Sequence, residues 1–132
     1  MMNIFERIHD LNYVVQRGWH NLGGEGDIDL FVSDADYETL KEITSGFFTK
    51  VDIRRPSDNY YPPYIGDILL LNRRDIGGLW VPSKEAYFLS LFYHAYVQGR
   101  KEKYQVELKK AFLDWIPPVE PEDKGVIYNP DD

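Results

Sequence analysis

From residue 27 the chain alternates strictly. Asp27, Asp29 and Phe31 fall on one side of a predicted strand, while Ile28, Leu30 and Val32 fall on the other. The spacing changes on either side of this stretch. Ile4, Phe5, Ile8 and Leu11 recur at helical intervals, and "YVVQRGW" then offers β-branched and aromatic residues over the length of a strand. Downstream, Ser33 or Asp34 is placed to cap a helix with Asp36 and Glu38 in its first turn, Leu40 and Ile43 facing inward and Gly46 at its end. "FFTKVDIRR" predicts a third strand, with Val51 and Ile53 on one side and Lys50, Asp52 and Arg54 on the other.

"PSDNYYPPYIG" reads as a loop, because its prolines supply no ladder hydrogen bonds. "DILLLNRRDIGG" fits a helix ended by glycine better than a strand, and "LWVPS" is a short strand stopped by proline. Ser83 caps the clearest helix, "KEAYFLSLFYHAYVQGR", with Ala86, Leu89, Phe92, Tyr93 and Tyr96 as its apolar stripe. A polar break near Gly99 precedes a last helix, in which Val106, Leu108, Ala111, Phe112 and Trp115 are the inward candidates. The order predicts an α+β fold: a short mixed β-sheet flanked by helices, with a helical C-terminal part. Residues 1–116 form one domain on this reading, and 117–132 an extended acidic, proline-rich tail.

Composition narrows the chemistry. A chain of 132 residues with 43% hydrophobic and 15% aromatic side chains is enough for one core. A net charge of -7 disfavours a phosphate backbone as the main partner, though not a small anion held with a metal. Cysteine is absent, which removes thiolate chemistry and suits a reducing compartment. The charged N-terminus and the lack of a 20-residue apolar run point to a cytoplasmic protein without a membrane segment. Neither a Ser-His-Asp order, nor a P-loop, nor zinc spacing is present.

Carboxylates at i and i+2 of a strand lie on one face, close enough to share a hard cation such as Mg²⁺ or Mn²⁺ through oxygen ligands. Asp52 is the first candidate for a third acid and Asp67 the reserve; a charged strand surface explains "KVDIR" equally well, since Lys50 and Arg54 share the face of Asp52. Gly23, Gly24 and Gly26 would let the backbone approach a ligand and offer N–H groups to phosphate. Arg17, Arg54, Arg55, Arg73 and Arg74 are available cations, Arg17 being favoured because it precedes Gly18 at the mouth of the site. His20 is a candidate for substrate binding or proton transfer, whereas His94, within the most apolar helix, reads as a hydrogen-bonded core residue. Tyr60, Tyr61 and Tyr64 would either stack on a base or sugar, or pin their loop to the sheet.

A strand ending in glycine, a turn, Asp-x-Asp on the next strand, a helix and a further apolar-Asp-apolar strand resembles the nucleotidyltransferase superfamily related to DNA polymerase beta. The resemblance covers roughly residues 12–55, and "VPSKEAYFLSLFYHAYVQGRKEKY", which opens into the helical part at 84–116, looks similar to the helical part of small nucleotidyltransferase-like domains of polysaccharide-related and large-virus proteins. It implies that Asp27, Asp29 and Asp52 are catalytic and hold Mg²⁺; Arg17, Gly18, Gly23, Gly24 and Arg54 are the candidates to bind the nucleotide. The implied reaction moves a nucleoside monophosphate from a triphosphate to a small or carbohydrate-type acceptor. The superfamily usually places Gly followed by Gly or Ser about ten residues before the Asp pair; here Gly18-Trp19 stands closer, with seven residues between Trp19 and Asp27. A binding or accessory module in glycan assembly, its pocket closed by Trp19, is the alternative expectation.

Overall fold

A computed structural model describes residues 4–19, 28–46 and 50–116. Helix α1 (Ile4–Ile8) leads into β1 (Tyr13–Arg17), followed by β2 (Ile28–Val32), a 3₁₀ turn at Asp34–Asp36, α2 (Tyr37–Thr44) and β3 (Val51–Arg54). A second 3₁₀ turn (Pro56–Asp58) precedes α3 (Pro63–Leu70), the hairpin β4 (Arg74–Ile76) and β5 (Leu79–Val81), α4 (Lys84–Phe92), a π turn at Tyr93–Val97 and α5 (Lys101–Trp115). The strands form a mixed sheet in the order β1-β2-β3, antiparallel between β1 and β2 and parallel between β2 and β3. The parallel step needs a crossover, which α2 supplies. The fold is α+β, as expected, with a helical C-terminal part.

Alternation on β2 sends its side chains into two cores. Leu30 and Val32 pack with Tyr13, Val15, Ile8 and Leu40 under α1 and α2, where Val51 and Ile53 also lie. Phe31 and Val14 pack with Tyr61, Leu69 and Ala86 under α3 and α4. The face that carries Asp29 is therefore dry at Phe31 and opens only at the start of the strand. Ser33 caps the 3₁₀ turn rather than α2 itself, its Oγ accepting from the Asp36 N–H at 3.3 Å; α2 begins after Asp36, which caps it with no side-chain bond because the Asp36 carboxylate accepts from the Asn12 N–H at 2.8 Å.

Two expectations are corrected. The segment "DILLLNRRDIGG" is neither one helix nor one strand. Pro63 starts α3 inside the expected loop, because proline at the first helical position loses no hydrogen bond, and Leu71-Asn72 ends the helix with Asn72 at φ 55°. Gly77 and Gly78, at φ 60° and 92°, then form the two-residue turn that lets Arg74–Ile76 pair with Leu79–Val81.

The second correction concerns the C-terminal stripes. Ser90, Leu91, His94 and Ala95 are buried, whereas Phe92 and Tyr96 are 45% and 52% exposed. Within regular α4 the buried face runs through Ala86, Ser90 and Leu91, which leaves Phe92 outside it; beyond Phe92, bonds from Gln98 N–H to Tyr93 C=O and from Arg100 N–H to Ala95 C=O widen the turn that carries Tyr96. On α5 only Leu108 and Ala111 are buried, while Val106 and Phe112 are exposed. Phe88, Phe92, Phe112 and Trp115 instead pack ring to ring along the outside of the helix pair.

Candidate functional site

β1 and β2 pair residue for residue from Tyr13↔Val32 to Val15↔Leu30, and then Arg17, not Gln16, stands opposite Asp29. One extra residue is accommodated as a β-bulge, which bends the strand and re-aims a side chain. Gln16 is buried and anchored: its Nε2 donates to the Leu30 C=O at 3.2 Å, and the Tyr61 hydroxyl donates to its Oε1 at 2.6 Å. Arg17 is thereby brought to the carboxylate face, with Nε 3.8 Å from Asp29 Oδ2 and a side chain only 12% exposed. Burial opposes its charge, but Tyr61, Tyr104 and Asp29 around it outweigh that and hold the guanidinium protonated. Its Nε is buried and makes no hydrogen bond.

On the other side of β2, the parallel register sets Asp29 opposite Asp52. Strands lie about 4.8 Å apart, so side chains paired in this way share one face at neighbouring positions. Asp29 is 32% and Asp52 38% exposed, and Lys50 Nζ stands 3.9 Å from Asp52 Oδ1. Two carboxylates so paired form a hard-oxygen donor set, and Mg²⁺ is commonly held by one or two carboxylates with water and substrate phosphates completing its shell. The donor set fits that chemistry. Among the described residues no group of three or more acidic or histidine side chains is arranged to hold a metal; Asp27 lies outside those residues, as do Gly23, Gly24, Gly26 and His20.

Arg17 and Asp29 open into a cavity of about 600 Å³ between the sheet end and the helices α4 and α5. Gly18, at φ 76°, turns the chain there; a side chain would strain that backbone. Trp19 forms one wall, edge-on to Tyr87 with ring centroids 4.8 Å apart. Arg74, Lys84 and Lys110 bring positive charge, Glu107 and Asp114 negative charge, and Lys84 Nζ meets Asp114 Oδ1 at 3.3 Å. The size suits one small ligand.

Of the remaining sequence candidates, Arg54 lies over the Tyr60 ring at 3.8 Å, Arg55 over Tyr37 at 3.8 Å and Arg73 over Trp80 at 3.9 Å. Arg73 also donates to the Leu11 and Tyr13 carbonyls, which ties the hairpin to β1. Asp67 is exposed on α3. Tyr61 is a core residue, and Tyr64 faces solvent. His94 is a buried, hydrogen-bonded residue: its Nδ1 lies 2.6 Å from Gln98 Oε1 and 3.2 Å from the Tyr60 hydroxyl, and Gln98 Nε2 donates to the Tyr60 C=O.

Sequence reasoning missed the far wall. Lys84 and Tyr87, and then Tyr104, Glu107, Lys110 and Asp114, follow one another three or four residues apart. That periodic polar and aromatic helix face was the signal available. No protein-family model, curated protein or solved structure matches the chain.

Proposed function

We propose that the protein is an Mg²⁺-dependent nucleotidyltransferase that moves a nucleoside monophosphate from a triphosphate to a small or carbohydrate-type acceptor in the cytoplasm. One observation carries this reading: Asp29, which lines a cavity sized for one small ligand, stands opposite Asp52 across parallel strands. In the reaction an acceptor oxygen bonds to the α-phosphorus and the bond to the β-phosphate oxygen breaks. The acceptor proton passes to a site carboxylate or to solvent, and pyrophosphate leaves. Mg²⁺ would neutralise charge on the phosphates and orient them. Asp29 and Asp52, with Asp27 from the family resemblance, would hold it. Arg17 and Gly18 border the space for the triphosphate, and Trp19, Tyr87 and Tyr104 offer aromatic faces to a base or sugar. Arg54 lies on the Asp52 side, over Tyr60.

A binding module that performs no transfer is the rival reading. It is favoured by Trp19, a bulky ring in the cavity wall where the superfamily usually has Gly or Ser.

Thermal melts with ATP and CTP, with and without Mg²⁺ or Mn²⁺, test the site. At a ligand concentration about 100 times Kd the stabilisation is about 2.7 kcal/mol. It is expected only with metal, and is lost in Asp29→Asn and in Asp52→Asn. No response to any nucleotide, or full retention in both variants, would overturn the proposal. Stabilisation without pyrophosphate release from any acceptor tried would favour the binding module.

A further inference from the structure

We propose that Arg17 is an exchangeable counter-ion, which neutralises Asp29 until a metal–nucleotide complex arrives and then passes to a phosphate oxygen of the bound triphosphate. This deepens the nucleotidyltransferase reading and rests on it. Three observations carry it. The bulge brings Arg17, which plain antiparallel register would have sent to the opposite face, directly across from Asp29. The pair it makes there is loose, because 3.8 Å from Nε to Oδ2 exceeds the 2.7–2.9 Å of a charge-assisted hydrogen bond. Its Nε is buried and lacks a hydrogen-bond acceptor, at the edge of the cavity.

Tyr61 hydrogen-bonds the Arg17 side chain, but its Nε stays unpaired, and a buried unpaired N–H is costly. Arg73, by contrast, is held by two backbone carbonyls at 2.9 and 3.0 Å. The planar fork of Arg17 matches phosphate oxygens, and Gln16 and Tyr61 lock the bulge behind it. A cation at Asp29 and the Arg17 guanidinium compete for the same negative charge, whereas a phosphate and Arg17 attract. The same side chain should therefore weaken the binding of a bare metal and strengthen that of a metal–nucleotide complex.

The test measures two affinities in the full-length protein. Mn²⁺ alone is titrated by electron paramagnetic resonance of the free ion, and the Mg²⁺ complex of a non-hydrolysable α,β-methylene ATP by calorimetry. In Arg17→Ala, Mn²⁺ binding is expected to tighten about five- to tenfold, the scale of removing one unit charge at this range in a partly solvated site. Nucleotide binding is expected to weaken at least about tenfold, as loss of a charge-assisted contact implies. Arg17→Lys guards against a folding defect: the retained charge leaves Mn²⁺ affinity near wild type, while loss of the fork weakens the nucleotide.

Shifts of both affinities in one direction, or of neither, would overturn the counter-ion role while leaving the nucleotidyltransferase reading intact. Failure of the wild type to bind either metal or nucleotide would overturn both.

Discussion

At the scale of the residue, a buried imidazole is tolerated when it is hydrogen-bonded and uncharged, and His94 meets both conditions. Burial is the main cause that holds its pKa below the usual 6.5; the Gln98 contact pulls the other way. With the folded pKa depressed, the native state binds fewer protons than the unfolded chain. Stability is then complete above about pH 6.5 and falls as pH drops from there to the lower folded value, with a slope no steeper than about 1.4 kcal/mol per pH unit. Chemical denaturation at pH 8, 7, 6 and 5 should show that decline, and His94→Asn should flatten it. An unchanged slope in the variant would remove His94 as the cause. The core role of His94 was legible from its place in an apolar helix. The anchoring of Gln16 by Tyr61 was not, because nothing in "YVVQRGW" announces a partner 45 positions away.

At the scale of the element, local signals were reliable where they act locally. Ser83 was readable as a cap, and its Oγ accepts from the Ala86 N–H at 3.1 Å. Ser83→Ala should cost about 1 kcal/mol, or about 3–6 °C in melting temperature for a chain of this size. A shift below 1 °C would show that α4 is held by tertiary packing alone. The hairpin and the π turn were misread for related reasons. Gly77-Gly78 reads as a helix stop as readily as a hairpin turn until strand pairing selects between them. Phe92 closes α4 ahead of the π turn and lies off the Ala86, Ser90 and Leu91 face that the fold buries, a choice made by tertiary packing; Tyr96 lies within the turn, where a fixed 3.6-residue period no longer holds.

At the scale of the whole molecule, acidic charge and a cation-bearing cavity coexist. The chain carries a net -7, yet Arg17, Arg74, Lys84 and Lys110 border one space. Long-range repulsion of a polyanion and short-range capture of a small one are compatible, because exposed charges are screened beyond about 8 Å at physiological ionic strength. A fluorescent single-stranded 20-mer should accordingly show no binding at about 0.15 M salt. Micromolar or tighter binding with a steep salt dependence would mean that the basic residues act as a nucleic-acid surface. No described helix is long and apolar enough to cross a membrane.

The sequence by itself determined the face shared by Asp29 and Phe31, the Ser83 cap of α4, the cysteine-free chemistry and the charge, since each depends on residue type and on spacing within a few positions. Only the tertiary structure decided that Asp52 stands opposite Asp29, that a bulge brings Arg17 to the same carboxylate, and that α4 and α5 close the cavity. Strand register and helix docking are settled by contacts between distant segments, and a slip of one residue would have sent each of these side chains to the other face.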